Sequence, residues 1–339
     1  MAATTLRSRS AILVLALVAG GTVAGGVQPA GAQAAAPGEG PVAPEAGASR
    51  VQRPDDPFLP SRHGFAFVNR FTGSSLPPEL RDAESGVLAW ARGVAETYAD
   101  LPEEFGLCGG MSLSAADYYL AGAAVPGSDA APEQGTPLYE AIYQRQRDSL
   151  GVGSGYVLKF AHWMALPDVA PPAEAGADPG PDEARSTSAL TRQELPEICR
   201  ALERRQLVPL GLVLSRAGRG KLWNNHQVLA YALERPDDAT LHILIYDPNY
   251  PGDDRCVLRI EGLGVGLMGL DPQDDADAIA ALGPGRPGTS GDVVRAVRLP
   301  SNAAPRAIRG VFAMPYEPIA PPDASALPGE RGGVDAAVD

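Results

Sequence analysis

Residues 224–254 read NNHQVLAYALERPDDATLHILIYDPNYPGDD. Val228, Ala230 and Ala232 alternate with Gln227, Leu229 and Tyr231, the period of two that belongs to a β-strand, and a second β-rich run follows from Leu241 to Tyr246. Pro248 has no N–H to give a ladder, so the second strand stops at Asp247. If the two runs pair as a hairpin, the start of the first faces the end of the second, and directly opposite residues in an antiparallel pair have Cβ atoms about 4.5–5.5 Å apart. His226, at the strand start on the Val228 face, is therefore expected beside Asp247. The carboxylate can accept from one ring nitrogen and leave the other to face a third group.

Working outward, LGLVLS (210–215) precedes this pair, and CVLRI (256–260), VVRAVRL (293–299) and GVFAMPY (310–316) follow it as further short β-rich runs. The first half of the chain carries a different period. Val87, Trp90, Ala91, Val94 and Tyr98 recur at helical spacing, as do Leu138 with Ile142, and Val157, Phe160, Ala161 and Met164. Pro196 is expected to open a further helix whose Ile198, Ala201 and Leu202 share a face. Helices followed by a meander of strands predict an α+β fold, its N-terminal helical part packed on one side of a C-terminal antiparallel sheet.

The 339 residues carry 28 basic and 41 acidic side chains, a formal charge of −13. A chain this acidic lacks the basic face that nucleic acid or an anionic membrane requires, so neither is an expected partner. Arg7 and Arg9 precede an apolar run from Ala11 to Ala19 and small residues near Ala32 and Ala34, the pattern of a signal peptide over residues 1–34. The glycines at 20, 21, 25 and 26 make that run a poor membrane-spanning helix. The mature chain is thus expected to be secreted, with no membrane association after cleavage. Residues 35–60 are read as a disordered linker, 61–317 as the folded domain, 168–189 as a flexible insertion within it and 318–339 as a disordered tail, because these flanks hold few large apolar residues.

Three cysteines in an oxidising compartment allow at most one internal bridge. Cys199 and Cys256 are plausible partners, although spacing leaves the pairing open. Cys108 has a different setting, LPEEFGLCGGMSLSAADYYLAG (101–122), in which Met111, Ala115, Tyr118 and Tyr119 mark a helix that Gly122 is placed to end. A thiol at a helix N-terminus meets unpaired N–H groups and the positive end of the dipole, which favour the nucleophilic thiolate. The two glycines after it are expected to let a substrate backbone approach. The alternative is a small buried cysteine in a tight turn.

LCGGM, NHQVLAYA and IYDPNYPG, in that order and with PLGLVL before the histidine, resemble the papain-like cysteine peptidase superfamily, and most closely its branch that cleaves double-glycine leaders from bacterial peptides. The resemblance covers about residues 85–260. It implies a papain-like fold and a Cys-His-Asp hydrolase acting on a peptide or protein: Cys108 as nucleophile, His226 as general base then acid, Asp247 as orienter and Asn249 as its substitute. One feature departs from the family. Most members carry a glutamine a few residues before the cysteine as an oxyanion donor, and ETYADLPEEFGL (96–107) has none. The Cys108 N–H remains as one donor, with Asn224 and Asn225 as open alternatives for the second. An acyltransferase using the same three residues, and an inactive binding protein of the same fold, are the rival readings.

No metal or cofactor is expected, since paired CxxC motifs and histidines at metal-binding spacing are absent. The acidic turn with Asp253 and Asp254 beyond Asp247 reads as a solvated loop before a calcium site. His63, His162 and His242 read as packed or surface residues.

Overall fold

A computed structural model describes residues 51–53, 55–73, 104–150, 155–170, 186–217, 221–237, 240–262 and 294–323. The expected signal peptide, the helix around Val87–Tyr98 and most of the 168–189 insertion lie outside the described residues. The helices are α1 (Pro60–His63), α2 (Cys108–Leu120), α3 (Pro137–Ser149), α4 (Tyr156–Ala165) and α5 (Thr187–Glu203). Strands β1 (Phe71–Thr72) and β2 (Glu104–Phe105) form a small antiparallel pair. The remainder, β3 (Val208–Val213), β4 (His226–Asp237), β5 (Thr240–Tyr246), β6 (Val257–Glu261), β7 (Arg295–Leu299), β8 (Arg306–Ile308) and β9 (Gly310–Ala313), form one antiparallel sheet ordered β8-β7-β6-β5-β4-β3-β9.

That order forces the sheet to curl. β8 and β9 occupy its opposite ends, yet only Arg309 separates them in the chain, and its N–H donates to Val213 O at 2.8 Å. A continuous stretch of chain therefore serves β7 with its first half and β3 with its second. The outer N–H groups of β9 are covered by α5: Thr191 Oγ1 accepts from Val311 N at 3.0 Å and Glu194 Oε2 from Ala313 N at 3.1 Å. Ser188 of the same helix accepts from Val294 N at 2.8 Å, beside β7. Covering the edge in this way removes a free ladder that would otherwise pair with another chain.

The helices lie on both faces of the sheet, where one covered face was expected. Val228, Ala230 and Ile245 share a cluster with Leu195, Ile198 and Leu202 of α5, while their neighbours Leu229, Tyr231 and Tyr246 share one with Met111, Leu113 and Tyr118 of α2. Successive strand residues point to opposite faces, so α2 and α5 cover opposite sides. Two further boundaries move. Helix α5 begins nine residues before Pro196, with Ser186 Oγ accepting from Ala189 N as its N-cap, and Pro196 sits inside it at the cost of one helical hydrogen bond. Residues 51–53 and 55–60, expected as part of a disordered linker, are held: Gln52 Nε2 donates to Tyr231 O at 2.6 Å, Gln52 Oε1 accepts from Phe58 N, and Phe58 is fully buried. One well-placed aromatic and one doubly bonded amide outweigh the poor composition of that stretch.

The ends of the insertion and the start of the tail are held too. Asp168 accepts from Arg309 Nε at 2.6 Å, and residues 187–189 already belong to α5. Beyond residue 317, Ile319 N donates to Asp117 Oδ1 at 3.1 Å and Pro322 O accepts from Tyr118 OH at 3.0 Å. Asp117, buried in α2, is also paired with Arg145 of α3 at 2.8 Å.

Helix α2 runs from Cys108 to Leu120, and Gly122 just beyond it has a φ of +69°, the left-handed conformation that glycine adopts freely. Gly109 and Gly110 are both buried and do not open the site to substrate. A Cβ on Gly110 would collide with the backbone carbonyl of Ile142 in α3; one on Gly109 would meet the side chains of Ser149 and Gln227. The glycines therefore let α2 sit close to α3 and β4. Gly110→Ala should destabilise the protein by about 1–3 kcal/mol, because a helix backbone cannot give way. Gly109→Ala should cost less, since two side chains can rotate aside. Paired thermal unfolding curves check the ranking.

Candidate active site

Three elements deliver the site. Cys108 is the first residue of α2 and half-buried; His226 is the first residue of β4 and buried; Asp247 follows the last residue of β5 and is 1% exposed. The β4–β5 pairing runs down to Leu229↔Tyr246, with a bulge between Ala230 and Ala232 that places one extra residue on β4. Past that last pair the chain turns at Pro248, where Tyr250 N donates to Asp247 O at 2.8 Å, and the Asp247 side chain reaches back across the strand ends. Asp247 Oδ1 lies 2.7 Å from His226 Nε2, as the hairpin argument anticipated. The Cys108 sulfur lies near enough to the same imidazole to raise its proton affinity. With Nε2 engaged by Asp247, Nδ1 is the nitrogen left for the sulfur.

The charges of the site support one another. Burial pulls the proton affinity of His226 down, but the Asp247 carboxylate, its hydrogen bond and the Cys108 sulfur outweigh it and raise the imidazole to about 9. Burial likewise pushes Asp247 up, against His226, Arg298 and the Asn249 N–H, and these charged and hydrogen-bonding partners leave it below the usual carboxylate range. Arg298 was not anticipated. It projects from β7, is 4% exposed, and its guanidinium donates to Asp247 Oδ2 at 2.8 Å while lying over the Tyr250 ring. A signal for it existed: Val294, Ala296 and Arg298 alternate onto one buried face, and an arginine on such a face needs a partner.

Asn249 supports the aspartate and does not replace it. Its N–H donates to Asp247 Oδ1 at 2.9 Å, and its Nδ2 stands 3.4 Å from His226 Nε2. Asn69, which sequence spacing could not connect to the site, accepts from Leu107 N at 2.7 Å and donates to Asn249 Oδ1 at 3.1 Å.

At the start of α2, Leu107 N–H is taken by Asn69 and Gly110 N–H by Gln146 Oε1 at 3.0 Å. The Cys108 N–H meets no acceptor among the described residues. Of the two asparagines left open as second oxyanion donors, Asn225 is committed elsewhere: its Oδ1 accepts from Leu214 N and Ser215 N, and its Nδ2 donates to Leu222 O and Met164 Sδ. Asn224 is exposed.

The remaining candidates have structural roles. His63 Nδ1 accepts from Leu59 N at 2.9 Å, His162 is exposed on α4, and His242 lies mid-strand in β5. Asp253 accepts from Ser301 and from Arg255 N, and Asp254 from Ser61, so the acidic turn uses its carboxylates as loop anchors. No group of side chains suited to a metal ion occurs among the described residues. Cys199 and Cys256 are free and buried, and burial raises both thiols, that of Cys199 to about 11. No family model, curated protein or solved structure matches the chain.

Two stability measurements probe these charges. His226 has a folded pKa raised from 6.5 to about 9, so its protonation favours the folded state. That contribution is complete below pH 6.5 and is lost as pH rises through about 9. Denaturant stability should fall across this window in the wild type, and the fall should be absent in His226→Gln. Arg298→Met leaves a buried carboxylate without its second cation and should cost about 3–5 kcal/mol in the same titrations at neutral pH.

Proposed function

We propose that the chain is an exported cysteine hydrolase of papain-like architecture that cleaves a peptide or amide bond through a thioester on Cys108. The observation that carries the reading is that the imidazole of His226 is bonded to the buried Asp247 carboxylate and also lies within the influence of the Cys108 sulfur. A base oriented by a buried carboxylate and facing a sulfur is the arrangement that activates a cysteine nucleophile. The curled antiparallel sheet with the cysteine helix against one face agrees with the papain-like fold that the sequence motifs imply. Export rests on the N-terminal pattern of Arg7, Arg9 and the apolar run.

In this mechanism the Cys108 thiolate attacks the substrate carbonyl while His226 carries the proton. The carbonyl oxygen, now negative, is met by the Cys108 N–H. Collapse of the tetrahedral species breaks the C–N bond, and the imidazolium gives its proton to the departing amine. His226 then takes a proton from water as the water attacks the thioester, and the sulfur leaves as thiolate. Each role follows from position: Asp247 holds Nε2 so that the ring cannot turn away, which leaves Nδ1 to serve the sulfur. A single preformed backbone donor would leave the oxyanion less stabilised than a pair does. Losing one donor costs on the order of 10²–10³ in rate, so a slow enzyme is expected.

Iodoacetamide at pH 6 should modify Cys108 faster than glutathione and leave Cys199 and Cys256 unmodified. Incubation with a peptide library followed by mass spectrometry should show cleavage that Cys108→Ala and His226→Ala each abolish with little change in Tm. Hydrolysis surviving either substitution would place the chemistry elsewhere. Labelling no faster than glutathione would favour a binding protein, and acyl transfer to an added amine in place of hydrolysis would favour a transferase.

A further inference from the structure

The Asn69 side chain can be oriented without ambiguity, and its orientation propagates. A backbone N–H must donate, so the Asn69 atom 2.7 Å from Leu107 N is the oxygen Oδ1, and Nδ2 faces Asn249 at 3.1 Å. Facing a donor, Asn249 must present its own oxygen there, which turns its Nδ2 toward His226 Nε2 at 3.4 Å. His226 Nε2, bonded to the Asp247 carboxylate at 2.7 Å, carries a hydrogen. Two donors then face each other across 3.4 Å and form no bond. The Nε2–H is left with Asp247 as its acceptor. The Asn69 backbone reinforces the arrangement, its N–H donating to Pro248 O at 2.9 Å in the turn that joins Asp247 to Asn249.

We propose that Asn69 is a positioning residue: by holding the Asn249 amide nitrogen-first toward His226, it reserves the imidazole for Asp247 and keeps the Asn249 oxygen from competing for Nε2–H. The same side chain joins the residue before Cys108 to the turn behind His226, so it also sets the spacing of sulfur and ring. The inference rests on the proposed pairing of Cys108 with His226. The charged and titratable groups facing His226 are Cys108 from α2 and Asp247 beyond β5, with Arg298 of β7 acting through the second oxygen of Asp247.

The test follows the alkylation rate of Cys108 by iodoacetamide against pH, with peptide mapping to assign the label, and needs no substrate. The upper break of that profile reports loss of the His226 proton. Asn69→Ala releases the Asn249 amide, whose oxygen then accepts from Nε2–H as a second partner, and the break should rise by about 0.5–1 pH unit, the worth of one added hydrogen bond. In an Asn249→Ala background the same substitution should leave the break in place. A break unmoved by Asn69→Ala, or moved equally in both backgrounds, would overturn the proposal. Should Asn69→Ala not fold, Asn69→Asp keeps an acceptor for Leu107 N–H but cannot donate to Asn249. Its added charge raises the break in either background, and the rise must be larger when Asn249 is present; equal rises would be fatal. A wild-type profile without any upper break would remove the Cys108–His226 pairing and this proposal with it, whereas a break indifferent to Asn69 would remove the proposal alone.

Discussion

The carboxylate of Asp247 is the group on which the site depends. Both of its oxygens are used: Oδ1 by the His226 ring and the Asn249 N–H, Oδ2 by the Arg298 guanidinium. An ionised carboxylate taken out of water loses several kcal/mol of hydration, and only good geometry with more than one partner repays that loss. The partners come from three places in the chain: the start of β4, the turn after β5 and the end of β7. They meet because β5 lies between β4 and β6, β6 lies beside β7, and the curl of the sheet brings the ends of these strands toward one another. The fold thus creates the pocket of charge, and the charge in turn ties the strand ends.

The sulfur reaches that pocket through close packing. Helix α2 can present its first residue to His226 only if its body lies flat on the Leu229–Tyr231 face of the sheet and against α3, and Gly109 and Gly110 are where the approach is tightest. Farther along, Asp117 pairs with Arg145 of α3 and accepts from Tyr316 OH and Ile319 N, so the far half of the helix is held by side-chain polar bonds where the near half is held by contact. Interiors packed to crystal-like density transmit such constraints with little slack. Under the proposed chemistry, a nucleophile that must stay close to its base gains from that stiffness.

Much of this arrangement is local in sequence and could be read there. The alternation of β4, the proline that stops β5 and the cysteine before a helical run put His226, Asp247 and Cys108 at element ends without any structure. Four features escaped local reading, for identifiable reasons. The run VLAYAL is apolar at both parities, which signals a strand covered on both faces, whereas the order of helices before strands predicts only one covered face. The curl depends on β8, a three-residue strand too short to show any period. The bulge at Ala230–Ala232 shifts the register by one residue, and only the three-dimensional pairing reveals it. Asn69 and Arg298 lie far from the motifs in the chain and enter through tertiary contacts, so no spacing rule could attach them, although the buried parity of Arg298 marked it as paired.

Arg298 also bears on whether His226 can act in both directions under the proposed chemistry. A general base must take a proton and later release it, which works best when its proton affinity lies near the working pH. A buried carboxylate serving the imidazole alone would hold the imidazolium very firmly, because low surrounding polarity strengthens the pair. Burial of the ring opposes its charging and so restrains what Asp247 and the sulfur promote, and Arg298 engages the second oxygen of the same carboxylate. Under the proposed chemistry, an aliphatic residue at position 298 would leave the whole carboxylate charge to the ring, which would hold its proton more firmly. The arginine on β7 therefore bears on the proposed chemistry as well as on the cohesion of the curled sheet.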